Sequence, residues 1–371
     1  MNGLTSKSIS APVIMVGSGN LENILRLKGK LRLGQKHLVS SDELIGGSCI
    51  NYFLRIVTAG FEAFPIPQIG KDDLGAQIQA RLIQLYSQTD FNPQIMDFIS
   101  SPDFLIPGIQ TANATIIVHE GKRTIFSKIY SGTDIARKHI IERFGSLNTL
   151  PVNRASLMIG HVPLDRKSRR EDLITRQILS LAPSGWLTLI NPGPSQYQLG
   201  LNYWKQDLRQ ADIIQLNLLE IKTFFANSDL SDSLSQIIDH LAKMSITAII
   251  TLNKSGAIGI HKSKKNCIIV ADPLPIQDVV DPTGAGDAFA AGVVCALNGN
   301  KSFSFDEFVA AIQTGRLWAS YACTTFGASG ECPNAARISN FEKCFGQGKG
   351  SITVYDRTDA CGALNTLDNI D

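Results

Sequence analysis

Residues 279–292 read VVDPTGAGDAFAAG, an apolar start, a glycine-rich turn and a run of small residues. The small side chains of Gly284, Ala285 and Gly286 let the backbone approach an anion closely, and the amides of a following helix point outward. A carboxylate at Asp287 stabilises such a helix start by about 1 kcal/mol, which by itself explains its presence. Capping does not require the three small residues. We therefore predict a phosphate-binding turn, and at this point Asp287 can be either a helix cap or a base beside that turn.

The composition favours small-molecule chemistry. The chain has 371 residues, of which 44% are hydrophobic, so it can bury a large core. Its 35 basic and 33 acidic residues give a net charge of +2, without the excess expected of a protein that binds nucleic acid or a membrane surface. The seven cysteines never form close pairs, which indicates reduced thiols. The polar N-terminus and the lack of any apolar run of about 18 residues predict a cytoplasmic location.

Short apolar runs alternate with helix-length amphipathic segments and indicate an α/β protein. The runs begin near residues 11, 64, 156, 186, 211 and 246. The helices are predicted near 73–86, 170–182, 196–209 and 233–244. Strands that are apolar throughout predict a mostly parallel sheet covered on both faces. The stretches of about 31–45 and 103–130 break this rhythm and predict an antiparallel patch, either a lid or an extension of the sheet edge. The segments 1–11 and 346–371 are predicted to be flexible or peripheral.

Two other glycine-rich stretches do not complete a phosphate-binding motif. VGSGNLE at 16–22 has Glu22 where a dinucleotide fingerprint carries its third glycine. GQGKGS, which begins at residue 346, lacks the upstream glycine of a Walker A loop. The sequence therefore argues against an NAD-dependent dehydrogenase.

Two distant signatures resemble those of the ribokinase-like (PfkB) family of sugar and nucleoside kinases. DPTGAGDAFAAGVV is similar to the C-terminal signature, and LNLLE and TLNKSGA are similar to further family segments. The N-terminal signature is matched by Gly46, Gly47, Asn51, Gly60 and Gly70. The resemblance covers about residues 12–340. It implies one domain with a three-layer α/β/α ribokinase-like fold, a mostly parallel central sheet and a small β-sheet lid from 31–45 and 103–130.

The resemblance implies transfer of the ATP γ-phosphate to a hydroxyl, usually that of a hydroxymethyl group, on a small sugar or sugar derivative. Asp287 would be the general base, and the amides of 284–287 would form the anion hole. Asn217 and Glu220 would organise Mg²⁺ and phosphate through water. The alternative for this pair is a polar strand end that begins a helix.

The resemblance also assigns residues to the nucleotide and to a monovalent cation. Thr251, Asn253 and Gly256 lie in the turn under the nucleotide, where Asn253 replaces a usual glycine. Asparagine tolerates the left-handed conformation, so the turn can persist. Asp281 and Thr283 lie in the loop whose carbonyls bind K⁺ in several members.

On the acceptor side, the resemblance implies a set of polar and glycine positions that bind substrate hydroxyls. These are Asn20, Glu22, Gly46, Gly47 and Asn51, with His161 at a strand end as a further candidate. Glu22 stands where aspartate is usual, which leaves the substrate open, and His161 can instead be structural. Phe53 can stack on a sugar or base, or it can pack in the core.

Two alternative functions remain at this point. A nucleoside (adenosine-like) kinase would need ring-stacking aromatic residues, and only Phe53 offers one. A catalytically silent relative with a binding or regulatory role is suggested by the departures at Glu22, Cys49, Phe53 and Asn253. The intact Asp287 loop favours an enzyme. Lid strands in this family often pair between subunits, so the resemblance also implies a homodimer through the lid.

Overall fold

The computed structural model describes residues 10–89, 92–119, 122–128, 134–147, 154–167, 169–226, 233–276, 278–329, 332–345 and 351–357. These residues form a large sheet, a small sheet and the helices around them. The strands are β1 (Val13–Ser18), β2 (Asn20–Leu27), β3 (Val39–Gly46), β4 (Ala63–Gln68), β5 (Ala112–His119), β6 (Lys122–Ser127), β7 (Ser156–Ile159), β8 (Leu187–Ile190), β9 (Ile213–Asn217), β10 (Ala248–Thr251), β11 (Ala257–Ile260), β12 (Cys267–Ala271) and β13 (Ile352–Asp356).

The large sheet is mostly parallel, as predicted. Within the described residues it has nine strands in the order β13-β12-β11-β10-β9-β8-β7-β1-β4. The strands from β4 to β10 in this order pair in parallel, and β11, β12 and β13 add an antiparallel edge. Every residue of β1, β4 and β7 is buried. Because both faces of these strands are covered, their side chains are mostly apolar, and each strand has one buried polar residue, Ser18, Gln68 or Ser156.

Helices lie between most strands and bring two helix starts together. Helix α1 packs on β1 and β4 and also on α10, so the amino-terminal turns of α1 and α10 meet beside the sheet. The predicted helix at 196–209 is two helices: the first ends at Tyr197, and Gly200, with a φ of 80°, immediately precedes the second. The helices are α1 (Ser48–Thr58), α2 (Asp73–Tyr86), α3 (Pro93–Ser100), α4 (Asp134–Leu147), α5 (Ile174–Leu181), α6 (Pro194–Tyr197), α7 (Leu201–Leu208), α8 (Leu218–Phe225), α9 (Leu234–Lys243), α10 (Ala285–Leu297), α11 (Phe305–Ala322) and α12 (Ala335–Phe345).

The small sheet is the predicted lid, but its composition differs from the prediction. In the described chain its order is β3-β2-β5-β6, with β2 and β5 parallel and the outer pairs antiparallel. Strand β2 was not predicted. Only Gly19 separates it from β1, so one run of sequence passes from the large sheet into the lid. A side chain at Gly19 would lie 2.6 Å from Ile69 Cγ2, which shows how tightly this passage is packed.

Residues 351–357 of the predicted C-terminal tail contain strand β13. Strand β13 pairs along the whole of β12, and Ser351 donates from its amide and its hydroxyl to the Asp272 carboxylate. This part of the chain is therefore an edge of the large sheet. Residues 1–9, 346–350 and 358–371 of the predicted tails lie outside the described residues. Among the helices that the structure describes, none is both long and apolar enough to cross a membrane.

Candidate active site

The first turn of α10 carries the glycine-rich sequence. Gly284 precedes the helix with a φ of 74°, a left-handed conformation that favours glycine. A Cβ atom at Gly284 would lie 2.8 Å from Ala328 Cα, so a larger residue would also collide with the neighbouring loop. The amides of Gly286 and Asp287 belong to the first turn, where helix amides have no intrahelical acceptor. This turn therefore provides donors for an anion.

Asp287 faces α1. Its Oδ2 accepts a hydrogen bond from Asn51 Nδ2 at 2.7 Å, across 236 residues of sequence. The N-cap residue of α10 is Gly284, which has no side chain, and Asp287 is the acidic residue of the first turn, where a negative charge is favourable. Burial raises the pKa of Asp287 to about 6, while the Asn51 hydrogen bond, the Arg55 charge and the Tyr52 hydroxyl oppose this rise. Asp287 is therefore a carboxylate with raised basicity, held by α1.

A cavity of about 220 Å³ lies in front of this carboxylate. Asn217 and Glu220 border it and also start α8: Asn217 Oδ1 accepts from the Glu220 amide, and Glu220 Oε2 accepts from the Asn217 amide, both at 2.9 Å. The alternative interpretation of this pair as a strand end that begins a helix is thus what the structure shows, and both residues still face the cavity. The lining residues are Asn191, Gln215, Asn217, Glu220, Thr251, Gly284, Gly286 and Asp287.

The two carboxylates on this cavity suit a divalent cation. Desolvation raises the pKa of Glu220, and the charge of Asp287 raises it further. A cation between two such groups would favour their ionised forms. Mg²⁺ commonly takes one or two carboxylates together with water and substrate phosphates. Glu220 and Asn217 therefore fit the ion that the sequence implied.

A second cavity of about 520 Å³ adjoins the first and shares Asn217, Thr251 and Gly286 with it. Asn253 has a φ of 51°, so the predicted left-handed turn persists without glycine. Apolar side chains and the three predicted nucleotide residues together form its walls, which is typical of a site for a flat ring. They include Thr251, Asn253, Gly256, Leu274, Ile276, Val279 and Phe289.

A third cavity of about 300 Å³ lies beside the lid. Asn20 and His161, two of the predicted acceptor residues, border it, and Asn20 Oδ1 is buried without a hydrogen-bond partner. His161 Nε2 lies 3.1 Å from Ser195 Oγ, and burial lowers the pKa of His161 to about 4, so the ring is neutral near pH 7. The other lining residues include Ser18, Asn113, Ser127, Lys128 and Ser195.

The remaining predicted acceptor residues shape the backbone. Glu22 and Gly46 are not among the described residues that line the third cavity; a Cβ atom at Gly46 would lie 2.4 Å from Glu22 Oε1. Gly47 has a φ of 95°, and a Cβ atom there would lie 2.5 Å from the Ser18 carbonyl oxygen. These glycines let α1 begin directly against β1. Phe53 is fully buried in the core, which favours its packing interpretation.

The loop with Asp281 and Thr283, for which the resemblance implies a K⁺ site, is held by the Asp281 carboxylate. Asp281 is buried, and it accepts from the amides of Thr283 at 2.9 Å and Gly327 at 2.8 Å. These bonds fix the turn that leads into Gly284. The two carbonyls that the sequence assigned to K⁺ lie within this fixed loop.

The sequence reasoning missed several residues of the site. Gln215 donates to the Gly286 carbonyl at 2.8 Å, and its Oε1 is buried without a partner. Tyr52 and Arg55 sit on α1 beside Asp287. The helical spacing from Asn51 to Arg55 was the available signal, because residues four apart share a helix face. Lys128, which lines the third cavity, lies in no motif or periodic pattern that would have indicated this position.

A buried carboxylate, the free amides of a helix start and two adjoining cavities in an α/β fold are the arrangement expected of a phosphotransferase. Residues 188–335 match the sequence profile described as pfkB family carbohydrate kinase. Over these residues the chain is similar to PfkB carbohydrate kinases, phosphotransferases whose acceptor is an alcohol. No curated protein sequence matches the chain significantly.

Solved structures with this fold include ribokinases and a nucleoside kinase. The ribokinase of Giardia lamblia is 17% identical, with a TM-score of 0.69, covering 90% of this chain and 99% of that one. The nucleoside kinase of Burkholderia thailandensis, in complex with inosine, is 19% identical, with a TM-score of 0.65 and the same coverage. The ribokinase of Arabidopsis thaliana, complexed with ribose and ATP, is 17% identical, with a TM-score of 0.62 and again the same coverage. At these identities the likeness supports the ribokinase-like fold.

Proposed function

We propose that the protein transfers the γ-phosphate of ATP to a hydroxyl, in a hydroxymethyl group, of a small sugar or sugar derivative. The observation that carries this proposal is the position of Asp287 on the cavity of about 220 Å³, which shares Asn217, Thr251 and Gly286 with the cavity of about 520 Å³. A nucleotide whose base occupies the larger cavity would extend its phosphates into the smaller one. The γ-phosphate would then lie between the start of α10 and the base.

In the proposed reaction, the acceptor oxygen attacks the γ-phosphorus and gives its proton to Asp287. The bond between the γ-phosphorus and the bridging oxygen breaks, and ADP leaves with the electron pair. The amides at the start of α10 stabilise the charge on the transferring group. With its pKa raised to about 6, Asp287 is largely ionised near pH 7 and a better proton acceptor than an ordinary aspartate.

Glu220 and Asn217 would hold Mg²⁺ through water in this scheme. When bound, the ion neutralises phosphate charge. Asp281 and Thr283 remain our proposal for a K⁺ site, through the carbonyls of the loop that Gly327 holds. Titration of the enzyme with each cation, with binding measured by calorimetry in the presence of ADP, tests both assignments.

The acceptor is proposed to bind in the cavity of about 300 Å³. Ser48 joins this cavity to the base: its Oγ accepts from the His161 amide at 3.0 Å, and its amide donates to Ser18 Oγ at 3.0 Å. Three residues later on the same helix, Asn51 binds Asp287. The start of α1 therefore links the acceptor walls to the catalytic carboxylate.

The polar lining favours a sugar over a nucleoside. Phe53 is in the core, and His161 is the one aromatic ring among the described residues that line this cavity. Hydroxyl groups both donate and accept, which suits the amide, hydroxyl and imidazole groups present. Lys128 also borders the cavity, so sugar acids belong among the candidates.

Replacing Asn20 by alanine is expected to raise the KM for the acceptor by about ten- to a hundred-fold, with a smaller change in kcat. The reason is that Asn20 Oδ1 is buried without a partner until an acceptor hydroxyl donates to it. Steady-state kinetics at saturating ATP measure the effect. Asn266→Ala, on an exposed turn, is the control and should leave KM unchanged. An unchanged acceptor KM in Asn20→Ala would exclude this residue from the acceptor site.

A screen of ATP consumption across pentoses, hexoses, sugar acids and nucleosides tests the function itself. We expect turnover with a sugar or a sugar acid. Turnover restricted to nucleosides would support the nucleoside kinase instead. No turnover with any acceptor, from a protein that binds ATP and Mg²⁺, would support the catalytically silent relative.

We further propose that the protein is a homodimer through the lid. The outer strands of the lid and the loop before β3 expose apolar side chains, which are Leu33, Leu38, Ile125 and Phe126. Apolar groups on sheet edges are common sites of association. Analytical ultracentrifugation measures the state, and a monomer at micromolar concentration would contradict the proposal.

A further inference from the structure

A buried arginine lies beside the catalytic carboxylate and has no acidic partner there. Arg55 is 2% exposed and lies on α1, one turn after Asn51. Among the described residues, no carboxylate comes within 4.0 Å of its guanidinium nitrogens. Its Nε is buried without a hydrogen bond. Burial of an unpaired cation is costly, so this position calls for a physical reason.

The guanidinium holds a backbone carbonyl behind the anion hole. Arg55 Nη2 donates to the Ala328 carbonyl at 2.9 Å, across 273 residues of sequence. Ala328 in turn packs directly against Gly284. A Cβ atom added at Gly284 would lie 2.8 Å from Ala328 Cα and 2.9 Å from Ala328 Cβ. Arg55 therefore holds Ala328, and Ala328 packs against Gly284, the glycine that precedes α10.

A second contact joins the same loop to the turn before α10. The amide of Gly327 donates to Asp281 Oδ2, while Asp281 Oδ1 accepts from the Thr283 amide. The loop at 327–328 thus holds the turn at 281–284 through a hydrogen-bonded carboxylate and through close packing. The link from this loop to α1 is the guanidinium of Arg55.

We propose that Arg55 is a positioning residue for phosphoryl transfer, which fixes loop 327–328 against Gly284 so that the amides of Gly286 and Asp287 point at the transferring group. Its positive charge, buried behind the hole, also favours negative charge in front of it, because buried charges interact strongly in a medium of low dielectric constant. The inference rests on the proposed kinase function. It assigns to α1 a second role besides holding Asp287 through Asn51.

The test uses Arg55→Gln and Arg55→Ala in the full chain. The glutamine keeps a donor for Ala328 and removes the charge, whereas alanine removes both. We expect kcat to fall about 10-fold in the first and about 100-fold in the second, with the KM for ATP changed less than about 3-fold. Guanidinium ion should restore part of the kcat of Arg55→Ala, and urea, which has a similar shape without the charge, should restore less.

Arg143→Ala is the matched control. Arg143 also donates to a backbone carbonyl, that of Phe98, and its Nε is also buried without a partner, but it lies on α4 and borders none of the three cavities. The Arg143→Ala variant should be less stable than the wild type and should keep the wild-type kcat. Equal losses of kcat in the Arg55 and Arg143 variants, or folded Arg55 variants with wild-type kcat, would overturn the proposal. If the alanine variant does not fold, Arg55→Gln decides the matter.

Hydrogen exchange separates this inference from the proposed function. In Arg55→Gln, the peptide that spans 279–292 should exchange faster than in the wild type, and the peptide that spans β7 should not. A wild type that turns over no acceptor would refute the kinase proposal, and the exchange experiment would still decide on Arg55. Unchanged protection of 279–292 would refute the positioning role.

Discussion

Asp287→Asn is expected to lower kcat by about 10²- to 10⁴-fold, because the amide cannot accept the proton of the attacking hydroxyl. Affinity for ADP should stay within a few-fold of the wild type, since the amides at the start of α10 remain. Asn51 can still donate to the new side-chain carbonyl. Single-turnover kinetics with saturating acceptor, together with calorimetry of ADP binding, measure the two effects. Wild-type turnover in this variant would refute Asp287 as the base.

The same change should stabilise the fold near pH 7. Burial raises the pKa of Asp287 from 3.8 to about 6, so the folded protein binds this proton more tightly than the unfolded chain. Stability is therefore lost as the pH rises from about 4 to about 6, and the loss persists above that range. Asparagine avoids the loss and should gain about 1–2 kcal/mol at pH 7, with no gain below pH 4. In the wild type, kcat/KM should fall as the pH drops below about 6.

Asp212→Asn is the control for the activity part of this prediction. Asp212 is also buried with a raised pKa, mainly through desolvation, but it precedes β9 at the end of the strand away from Asn217. Its carboxylate accepts from the Thr188 amide and lies near two lysines. Its loss should change stability without a comparable loss of kcat.

Gly284→Ala is expected to lower kcat by about 10²- to 10³-fold, the cost typical of a lost oxyanion-hole donor. Two effects act together: the φ of 74° disfavours alanine, and the added methyl group would lie 2.8 Å from Ala328 Cα. The start of α10 must shift, and its amides then no longer converge on one point. Steady-state kinetics, with circular dichroism as a check on folding, measure the change.

Gly145→Ala provides the comparison for this variant. Gly145 lies within α4 with no heavy atom within 4 Å of the added Cβ position, so alanine should be neutral or stabilising there. A folded Gly284→Ala variant with the kcat of the wild type would show that the hole does not depend on this turn.

The sequence was most informative where local pattern determines structure. The buried strands, the bounds of α2 and the turn at 284–287 follow from periodicity and from the special requirements of glycine. The break at Gly200 and strand β2 were missed because one residue, Gly200 or Gly19, interrupts an otherwise continuous pattern. Neither residue is distinguishable in sequence from a glycine within an element.

Contacts between distant residues were the part that the sequence did not predict. Both signatures were recognisable, yet nothing in them indicated that Asn51 Nδ2 would donate to Asp287. Glu22 likewise looked like a ligand and is buried against Gly46. Arg55 had no motif at all, because its role depends on a carbonyl at Ala328 that only the folded chain brings near.

Strand β13 has a consequence for how much of the C-terminal region the protein needs. It covers the outer side of β12. Asp272, just after β12, accepts through its carboxylate from Ser351 and through its carbonyl from Arg316. Arg316 borders the cavity of about 520 Å³ that we propose for the nucleotide. A chain shortened before residue 351 would present the apolar β12 with unpaired backbone groups, a template onto which another molecule can add a strand. Self-association would then begin beside the wall of the nucleotide site, so solubility and ATP affinity should decline together.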